Sequence, residues 1–162
     1  MIEDSENSDQ ITVRHATDAD RSFVLGLVPR LRAFGPSPLR PAEALDSAER
    51  RTLERAFDAL PEGSTLLIGE HPAEGPLGMA YAETGTDYFT KESHGHLAIL
   101  IVAEAGEGRG VAPALLEAVE SWSAERGYRF VTLNVFAQNA RALAAYEKAG
   151  YAPDIVRYLK EL

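Results

Sequence analysis

Three glycines lie close together in the turn that follows the most apolar stretch of the chain. Gly106, Gly108 and Gly110, with Ala112 just beyond them, directly precede a segment with helical periodicity. Small residues allow positive φ angles and let a ligand approach the backbone N–H groups. Because N–H groups at the start of a helix lie at the positive end of its dipole, the turn predicts a site for a phosphate or pyrophosphate. The alternative is a tight turn whose glycines serve packing alone.

Of three phosphate-binding patterns, one fits this turn in part. A P-loop ends in Gly-Lys-Ser/Thr, but the chain has Gly110, Val111 and Ala112 there. A dinucleotide fingerprint needs Gly or Ala three residues after its second glycine, where this chain has Val111 or Pro113. The pattern [Gln/Arg]-x-x-Gly-x-[Gly/Ala] is matched at Gly110 and Ala112, but its first position is Glu107.

Metal and thiol chemistry have little support in the sequence. The chain has no Cys, so it contains neither disulfides nor thiolate ligands, and a covalent acyl-cysteine is excluded. His94 and His96 alternate along the chain, but only two other histidines exist to complete a ligand set. We therefore predict no metal site and interpret this pair as part of a solvated loop.

The overall charge restricts the partners. The chain has 25 Asp and Glu residues and 16 Lys and Arg residues, which gives a net charge of −9. This charge argues against a sequence-independent nucleic-acid binder and favours cationic partners. The longest apolar run, residues 97–103, is far shorter than the roughly 20 residues that cross a bilayer, and the N-terminus lacks signal-peptide features. We expect a soluble, cytoplasmic protein without nucleic-acid or membrane partners.

The chain length of 162 residues fits one domain. Residues 1–10 carry four acids and little apolar mass, which predicts a flexible acidic tail before a single domain at residues 11–162. Periodicity predicts the element order βααβββαβαβ, an α/β (α+β) fold with one sheet covered by helices. The predicted strands are residues 11–15, 64–70, 77–83, 97–102, 129–136 and 155–159, and the predicted helices are residues 23–31, 41–60, 111–126 and 139–149.

The element order, the glycine turn and a second motif together resemble the GCN5-related N-acetyltransferase (GNAT) superfamily. The second motif, N-x-x-A-x-x-x-Y-x-x-x-G-[FY], is matched from Asn139 through Tyr146 to Tyr151. The resemblance covers nearly all of the chain after residue 10. It implies a mixed, mostly antiparallel central sheet flanked by helices, and acetyl-CoA as the co-substrate.

The resemblance also implies roles for individual residues. The end of the central strand, Leu100, Ile101 and Val102, would hydrogen-bond the pantetheine arm through its backbone. Asn139 matches a coenzyme contact, and Tyr146 matches the Tyr that protonates the departing thiolate; the alternative for Tyr146 is a core position on an amphipathic helix. The residues that would hold the pyrophosphate are Gly108, Arg109, Gly110, Val111, Ala112 and Pro113.

The chemistry of acetyl transfer gives Tyr146 a reason beyond the match. Transfer from a thioester to an amine forms an oxyanion and then expels a thiolate, so a backbone donor near Val102 and a phenol near the sulfur would both help. Glu107 departs from the pattern, and a carboxylate facing pyrophosphate would repel it. We therefore expect its side chain to face solvent and Arg109 to supply compensating charge.

The general base is harder to assign. Ala98 and Ile99 on the central strand are apolar, and Asn134 stands where some relatives have Glu. Glu83, at the end of the third strand, is the candidate that remains, with a solvated strand-end carboxylate as the alternative reading. Water and backbone carbonyls are the other proton acceptors.

These observations predict an acetyl-CoA-dependent N-acetyltransferase that acetylates a primary amine by direct transfer in a ternary complex. The acceptor would be a small molecule or a protein amine, bounded by residues 30–44 and 84–95, with Phe34, Tyr88 and Phe89 as candidate walls. The alternatives are a non-catalytic CoA-binding sensor or partner module and a nucleotide-binding α/β protein. An edge strand or residues 155–162 could form a homodimer.

Overall fold

The computed structural model describes residues 10–33 and 35–162. The predicted tail lies outside the described residues except for Gln10, and Phe34 also lies outside them. The strands are β1 Thr12–His15, β2 Ser64–His71, β3 Gly75–Thr86, β4 Ser93–Val102 and β5 Val131–Leu133. The helices are α1 Arg21–Leu27, α2 Ala42–Asp58, α3 Val111–Glu125 and α4 Ala140–Lys148, with shorter 3-10 turns at Asp18–Asp20, Val28–Ala33 and Glu104–Gly106.

The five strands form one sheet in the order β1-β2-β3-β4-β5. The first three neighbouring pairs are antiparallel, and β4 and β5 are parallel. The sheet is therefore mixed and mostly antiparallel with helices on both faces, as predicted. Among the described residues, no helix is long and apolar enough to cross a membrane.

Each face of the sheet carries its own hydrophobic core. One core packs α1 and α2 against the sheet, and its central residues are Val24, Leu53, Ile68, Met79, Tyr81 and Ile101. The other packs α3 against the opposite face, and its central residues are Leu67, Ala80, Leu97, Leu115, Val119 and Trp122. The periodicity of α2 and α3 predicts these buried stripes because residues three and four apart share one face of a helix.

The N-terminal helical segment begins with a capping box formed by Thr17 and Asp20. The backbone N–H of Thr17 donates to Oδ2 of Asp20 at 2.8 Å. Arg14 on β1 also donates to this carboxylate at 2.7 and 2.9 Å. The cap therefore fixes the first strand to the first helix as well as starting the helix.

β4 contains an extra residue at the centre of the sheet. Tyr81 lies opposite Ile99, whereas the next residue of β3, Ala82, lies opposite Leu97. Ala98 is thus the inserted residue of a β-bulge, which breaks the alternation of faces along β4.

β4 and β5 are paired over a short distance only. The pairs are Gly95 with Val131, His96 with Thr132 and Leu97 with Leu133. β4 then continues to Val102 without β5 beside it. The edge of β4 from Ala98 to Val102 is therefore not covered by β5. We call the space along this edge the opening, and the candidate site lies there.

Sequence predictions about three strands are wrong in extent. The strands predicted at residues 77–83 and 97–102 are longer in the structure, because β3 continues to Thr86 and β4 begins at Ser93. The strand predicted at residues 129–136 is reduced to Val131–Leu133. Strand length depends on the partner strand, and a local pattern cannot report where a partner diverges.

The last predicted strand, residues 155–159, does not form. These residues have no regular secondary structure, and the side chains of Ile155, Val156 and Tyr158 are 74%, 68% and 91% exposed. A strand is stable only when a neighbour satisfies its backbone groups, and β5 offers three paired residues. Contact of residues 155–162 with a second copy stays a prediction.

Candidate active site

The second half of β4 presents backbone groups to the opening beside it. The N–H of Ala103 donates to the carbonyl of Leu77 on the β3 side at 2.8 Å. Backbone groups of successive strand residues point to opposite sides, so those of Leu100 and Val102 face away from β3. Ile101 points its backbone groups at β3 and its buried side chain into the core. Of the three predicted residues, Leu100 and Val102 are therefore the ones that can bond a ligand in the opening.

The glycine turn places free backbone N–H groups at the start of α3. Gly108 and Gly110 have φ angles of +72° and +82°, in the left-handed region that favours glycine. The first helical bond of α3 is donated by Ala114 to Gly110 at 3.1 Å. The preceding N–H groups, of Val111 and Ala112, have no partner within the helix and can bind an anion. Pro113 has no N–H and contributes only to the shape of the turn.

Glu107 does not extend into solvent as the sequence analysis expects. Its Oε1 accepts from Nη2 of Arg30 at 2.6 Å, and its Oε2 lies 3.1 Å from Nη1 of Arg141. The Arg141 guanidinium, with that of Arg30, holds the pKa of the Glu107 carboxyl below its usual range. The prediction that Arg109 supplies the compensating charge is wrong.

Arg109 instead binds a neighbouring carboxylate. Its two Nη atoms donate to Glu74 at 2.7 and 2.9 Å. Glu74 lies in the turn between β2 and β3, so this pair ties the glycine turn to the end of the sheet. The Arg109 guanidinium lowers the pKa of the Glu74 carboxyl.

Asn139 closes the N-terminus of α4. Its Oδ1 accepts from the N–H of Ala142 at 3.1 Å, which is the bond of a helix N-cap. The backbone of Gly35 packs against the same region, because a Cβ built on Gly35 would lie 3.0 Å from Cβ of Gln138. Residues 35–41, a proline-rich connector between the 3-10 turn Val28–Ala33 and α2, are therefore in contact with the start of α4.

Tyr146 lies on α4 and is partly buried against the α3 core. Its ring forms an edge-to-face contact with Tyr151 at a centroid distance of 6.0 Å. Burial raises the pKa of the Tyr146 phenol. The phenol therefore keeps its proton at neutral pH, as a general acid must before it acts.

A row of polar residues crosses four strands at the point where β4 and β5 separate. Ser64 pairs with Glu83, Glu83 with His96, and His96 with Thr132. Nδ1 of His96 is 2.8 Å from Oγ1 of Thr132, and Tyr81 donates to Glu83 at 3.4 Å. Burial lowers the pKa of His96 from 6.5, while the charge of Glu83 raises it. His96 is therefore a candidate proton acceptor that was not predicted from the sequence.

The interpretation of His94 and His96 as loop residues is wrong. Both lie on β4, and His94 is buried and stacked on Phe130 at a centroid distance of 4.9 Å. The strand continues through them because β3 runs alongside to Thr86. Within residues 10–33 and 35–162, no three His, Asp or Glu side chains are grouped to hold a metal.

Tyr88 and Phe89 lie at the tip of the β3–β4 hairpin. Their side chains are 77% and 75% exposed, and their rings pack edge to face at a centroid distance of 5.2 Å. They are therefore neither core residues nor part of an enclosed wall in this structure.

Arg30 and Arg141 are further residues that the sequence analysis misses. Arg141 occupies a variable position of the second motif, and Arg30 is distant in sequence from both motifs. A signal for either one would have required knowledge of tertiary contacts. Together with Glu107, they connect the glycine turn to the 3-10 turn Val28–Ala33 and to α4.

Comparison with known proteins places this arrangement among acetyltransferases. The sequence model of the acetyltransferase (GNAT) family matches residues 33–151. No curated protein matches the sequence. A Pyrococcus furiosus protein described as an acetyl transferase is 19% identical with a TM-score of 0.75, over 94% of this chain and 100% of that one.

Two further solved structures share the fold. Aminoglycoside N-acetyltransferase AAC(6')-Iy, in complex with CoA, is 20% identical with a TM-score of 0.69, over 94% of this chain and 96% of that one. Ribosomal-protein-alanine N-acetyltransferase from Brucella melitensis is 17% identical with a TM-score of 0.68, over 94% and 100%. The predicted resemblance and fold are confirmed by these matches.

Proposed function

Because the chain belongs to the acetyltransferase (GNAT) family, we propose that it transfers the acetyl group of acetyl-CoA to a primary amine by direct attack in a ternary complex. The observation that carries the proposal is the juxtaposition of a strand edge that β5 does not cover, at Leu100 and Val102, with N–H groups of Val111 and Ala112 that have no partner within α3. The strand edge suits the amide-containing pantetheine arm, and the helix start suits the pyrophosphate. Acetyl-CoA supplies the activated thioester.

The residues around this opening have separable tasks in the proposed reaction. Backbone donors at the end of β4 stabilise negative charge that develops on the thioester oxygen. Tyr146 supplies a proton to the departing sulfur, and its raised pKa keeps the phenol protonated until the thiolate leaves. Asn139 orients α4 through its cap and so holds Tyr146 in place.

The proton of the attacking amine needs an acceptor. Glu83 is the candidate predicted from the sequence, and His96 is its cross-strand neighbour. We propose that the uncharged imidazole of His96 accepts the proton and that Glu83 stabilises the charged ring that results. Glu83 as the acceptor itself is the alternative, which pH profiles distinguish.

The pH dependence follows from the lowered pKa of His96. The ring must be uncharged to accept a proton, so kcat/KM should fall as the pH drops through this lowered pKa. His96→Gln should remove this acid limb and lower kcat about ten-fold, since water can still accept the proton. Glu83→Gln removes a charge that favours the protonated ring, so its limb should move to lower pH with little loss at neutral pH. Glu83 is the base instead if two results are found together. The kcat of Glu83→Gln is then lowered at every pH, and His96→Gln keeps the acid limb of the wild type.

The acceptor is proposed to be a cationic amine, either a small molecule or a protein amine. The net charge of −9 attracts cations. One structural neighbour is named for aminoglycosides and another for a ribosomal-protein alanine. Tyr88 and Phe89 at the exposed hairpin tip are available to contact a large acceptor.

Binding of acetyl-CoA is the first test of the proposal. Thermal unfolding with acetyl-CoA at about one hundred times its Kd should show about 2.7 kcal/mol of added stability. This corresponds to a rise in Tm of roughly 5–10 °C for a chain of this size. NADH and ATP serve as controls and should give no comparable shift. The absence of any shift with millimolar acetyl-CoA would reject both the enzyme and the CoA-binding module.

Turnover then separates the two remaining readings. Acetyl-CoA consumption is measured with a panel of polyamines, aminoglycosides and peptide amines. Turnover with any of them supports the enzyme. Binding of acetyl-CoA without turnover across the panel would favour the non-catalytic module, for which the apolar Ala98 and Ile99 are the supporting feature.

A further inference from the structure

Glu107 lies between two arginines that come from distant segments of the chain. Arg30 belongs to the 3-10 turn Val28–Ala33 before the proline-rich connector, and Arg141 belongs to the first turn of α4. Their guanidinium groups approach different oxygens of the one carboxylate, at 2.6 and 3.1 Å. The carboxylate therefore links both segments to the glycine turn through its two oxygens.

The same cluster reaches the strand edge that the proposed reaction uses. Nε of Arg30 donates to the carbonyl of Val102 at 2.9 Å. That carbonyl faces away from β3, toward the predicted path of the pantetheine arm. Arg30 thus occupies an acceptor at the end of β4 while it is held by Glu107.

The charges of the cluster do not balance. Two guanidinium groups share one carboxylate, which leaves one positive charge beside a turn with free N–H groups at Val111 and Ala112. Arginine bonds phosphate and carboxylate oxygens with the same planar donor geometry. A pyrophosphate at this turn would therefore compete with Glu107 for both arginines.

We propose that Glu107 is a built-in substitute for the pyrophosphate of the coenzyme, which holds Arg30 and Arg141 in the unliganded protein and yields them when the coenzyme binds. The inference rests on the proposed function. Binding would transfer both arginines to the phosphates and free the carbonyl of Val102. The affinity for acetyl-CoA is then set by this exchange, in which the intact carboxylate opposes binding.

The side chains in the cluster have the exposure that such an exchange requires. Arg141 is 61% exposed and Glu107 is 33% exposed, so water and ions reach the pairs and weaken them. Arg30 is 27% exposed and has a second bond, to Val102. Arg141 should therefore be released first, and Arg30 should follow when the pantetheine arm reaches the strand edge.

The test is the Kd of acetyl-CoA for the full chain, measured by isothermal titration calorimetry. Glu107→Gln keeps the size and the hydrogen-bond acceptor but removes the charge, and should lower Kd about ten-fold. Glu104→Gln is the matched control, because Glu104 is an exposed carboxylate in the neighbouring 3-10 turn; it should change Kd less than two-fold. S-acetylpantetheine, which lacks the pyrophosphate, should gain much less than ten-fold in affinity from Glu107→Gln.

A double-mutant cycle ties the effect to the arginines. Arg141→Gln alone should raise Kd, and in its background Glu107→Gln should gain much less than ten-fold. An equal change in Glu107→Gln and Glu104→Gln, or weaker binding in Glu107→Gln, would overturn this inference. If the wild type binds acetyl-CoA in that experiment, the proposed function is not contradicted. Failure of the wild type and of every variant to bind acetyl-CoA would overturn both.

Discussion

Replacement of Tyr146 by Phe is expected to lower kcat for acetyl transfer about 100-fold and to leave the Kd of acetyl-CoA within two-fold of the wild type. General acids contribute about 10²-fold or more when they protonate a leaving group. The ring of Tyr146 packs against the α3 core and Tyr151, and Phe preserves these contacts. Tyr146→Phe should therefore lose only the proton that the phenol donates, and its packing should be unchanged.

Tyr151→Phe is the matched control for this prediction. Tyr151 is the neighbouring ring, and its hydroxyl donates to Glu120 at 3.0 Å on the surface of α3. This variant loses a hydroxyl from the same aromatic pair without touching the proposed reaction, so its kcat should stay within two-fold. Equal losses in the two variants would mean that packing, and not proton transfer, explains the effect of Tyr146→Phe.

The alkaline side of the pH profile gives an independent readout. A general acid must be protonated, and burial raises the pKa of Tyr146 above its usual value of 10.0. The wild-type kcat should therefore hold through pH 9 and decline only above the usual tyrosine range. Tyr146→Phe should remove this decline along with most of the activity; a decline that persists in the variant argues against Tyr146 as the acid.

Gly95→Ala is expected to be the most destabilising small substitution in the sheet. A Cβ built on Gly95 would overlap Oγ of Ser123, approach its Cβ at 3.0 Å and lie 3.3 Å from Cγ2 of Val131. Gly95 pairs with Val131 at the start of the β4–β5 contact, so neither strand can move without losing that pairing. Overpacking at such a site costs roughly 2–3 kcal/mol, and Tm should fall by roughly 5–10 °C.

Two companion variants make the stability prediction specific. Gly26→Ala places a methyl group where nothing lies within 4 Å, on helix α1, and should be neutral or slightly stabilising. In a Ser123→Ala background, Gly95→Ala should cost less, because the overlapping hydroxyl is gone. Chemical denaturation measures the free energies of unfolding of the wild type and of the variants, which are Gly26→Ala, Gly95→Ala, Ser123→Ala and the double variant. Strict additivity of Gly95→Ala and Ser123→Ala would show that the two side chains do not clash.

The sequence by itself determines the features that depend on near neighbours. The glycine turn requires positive φ at Gly108 and Gly110, and the helical periodicity after it starts α3 at Val111. The capping box at Thr17 and Asp20 also spans only a few residues. Such patterns are readable because their physical cause lies within a turn or two of the chain. The two motifs, in their order along the chain, also predict the family and its fold.

Only the tertiary structure decides what distant segments do to one another. Arg30 and Glu107 are 77 positions apart, and no local pattern indicates that the carboxylate is shared with Arg141. The strand assignment of His94 and His96 depends on how far β3 runs beside β4, and the missing last strand depends on the three-residue length of β5. Ion pairs and strand partners are chosen by the geometry of the whole fold. For that reason the two motifs of the candidate site can be recognised in the sequence, whereas the ion pairs around Glu107 are seen only in the folded chain.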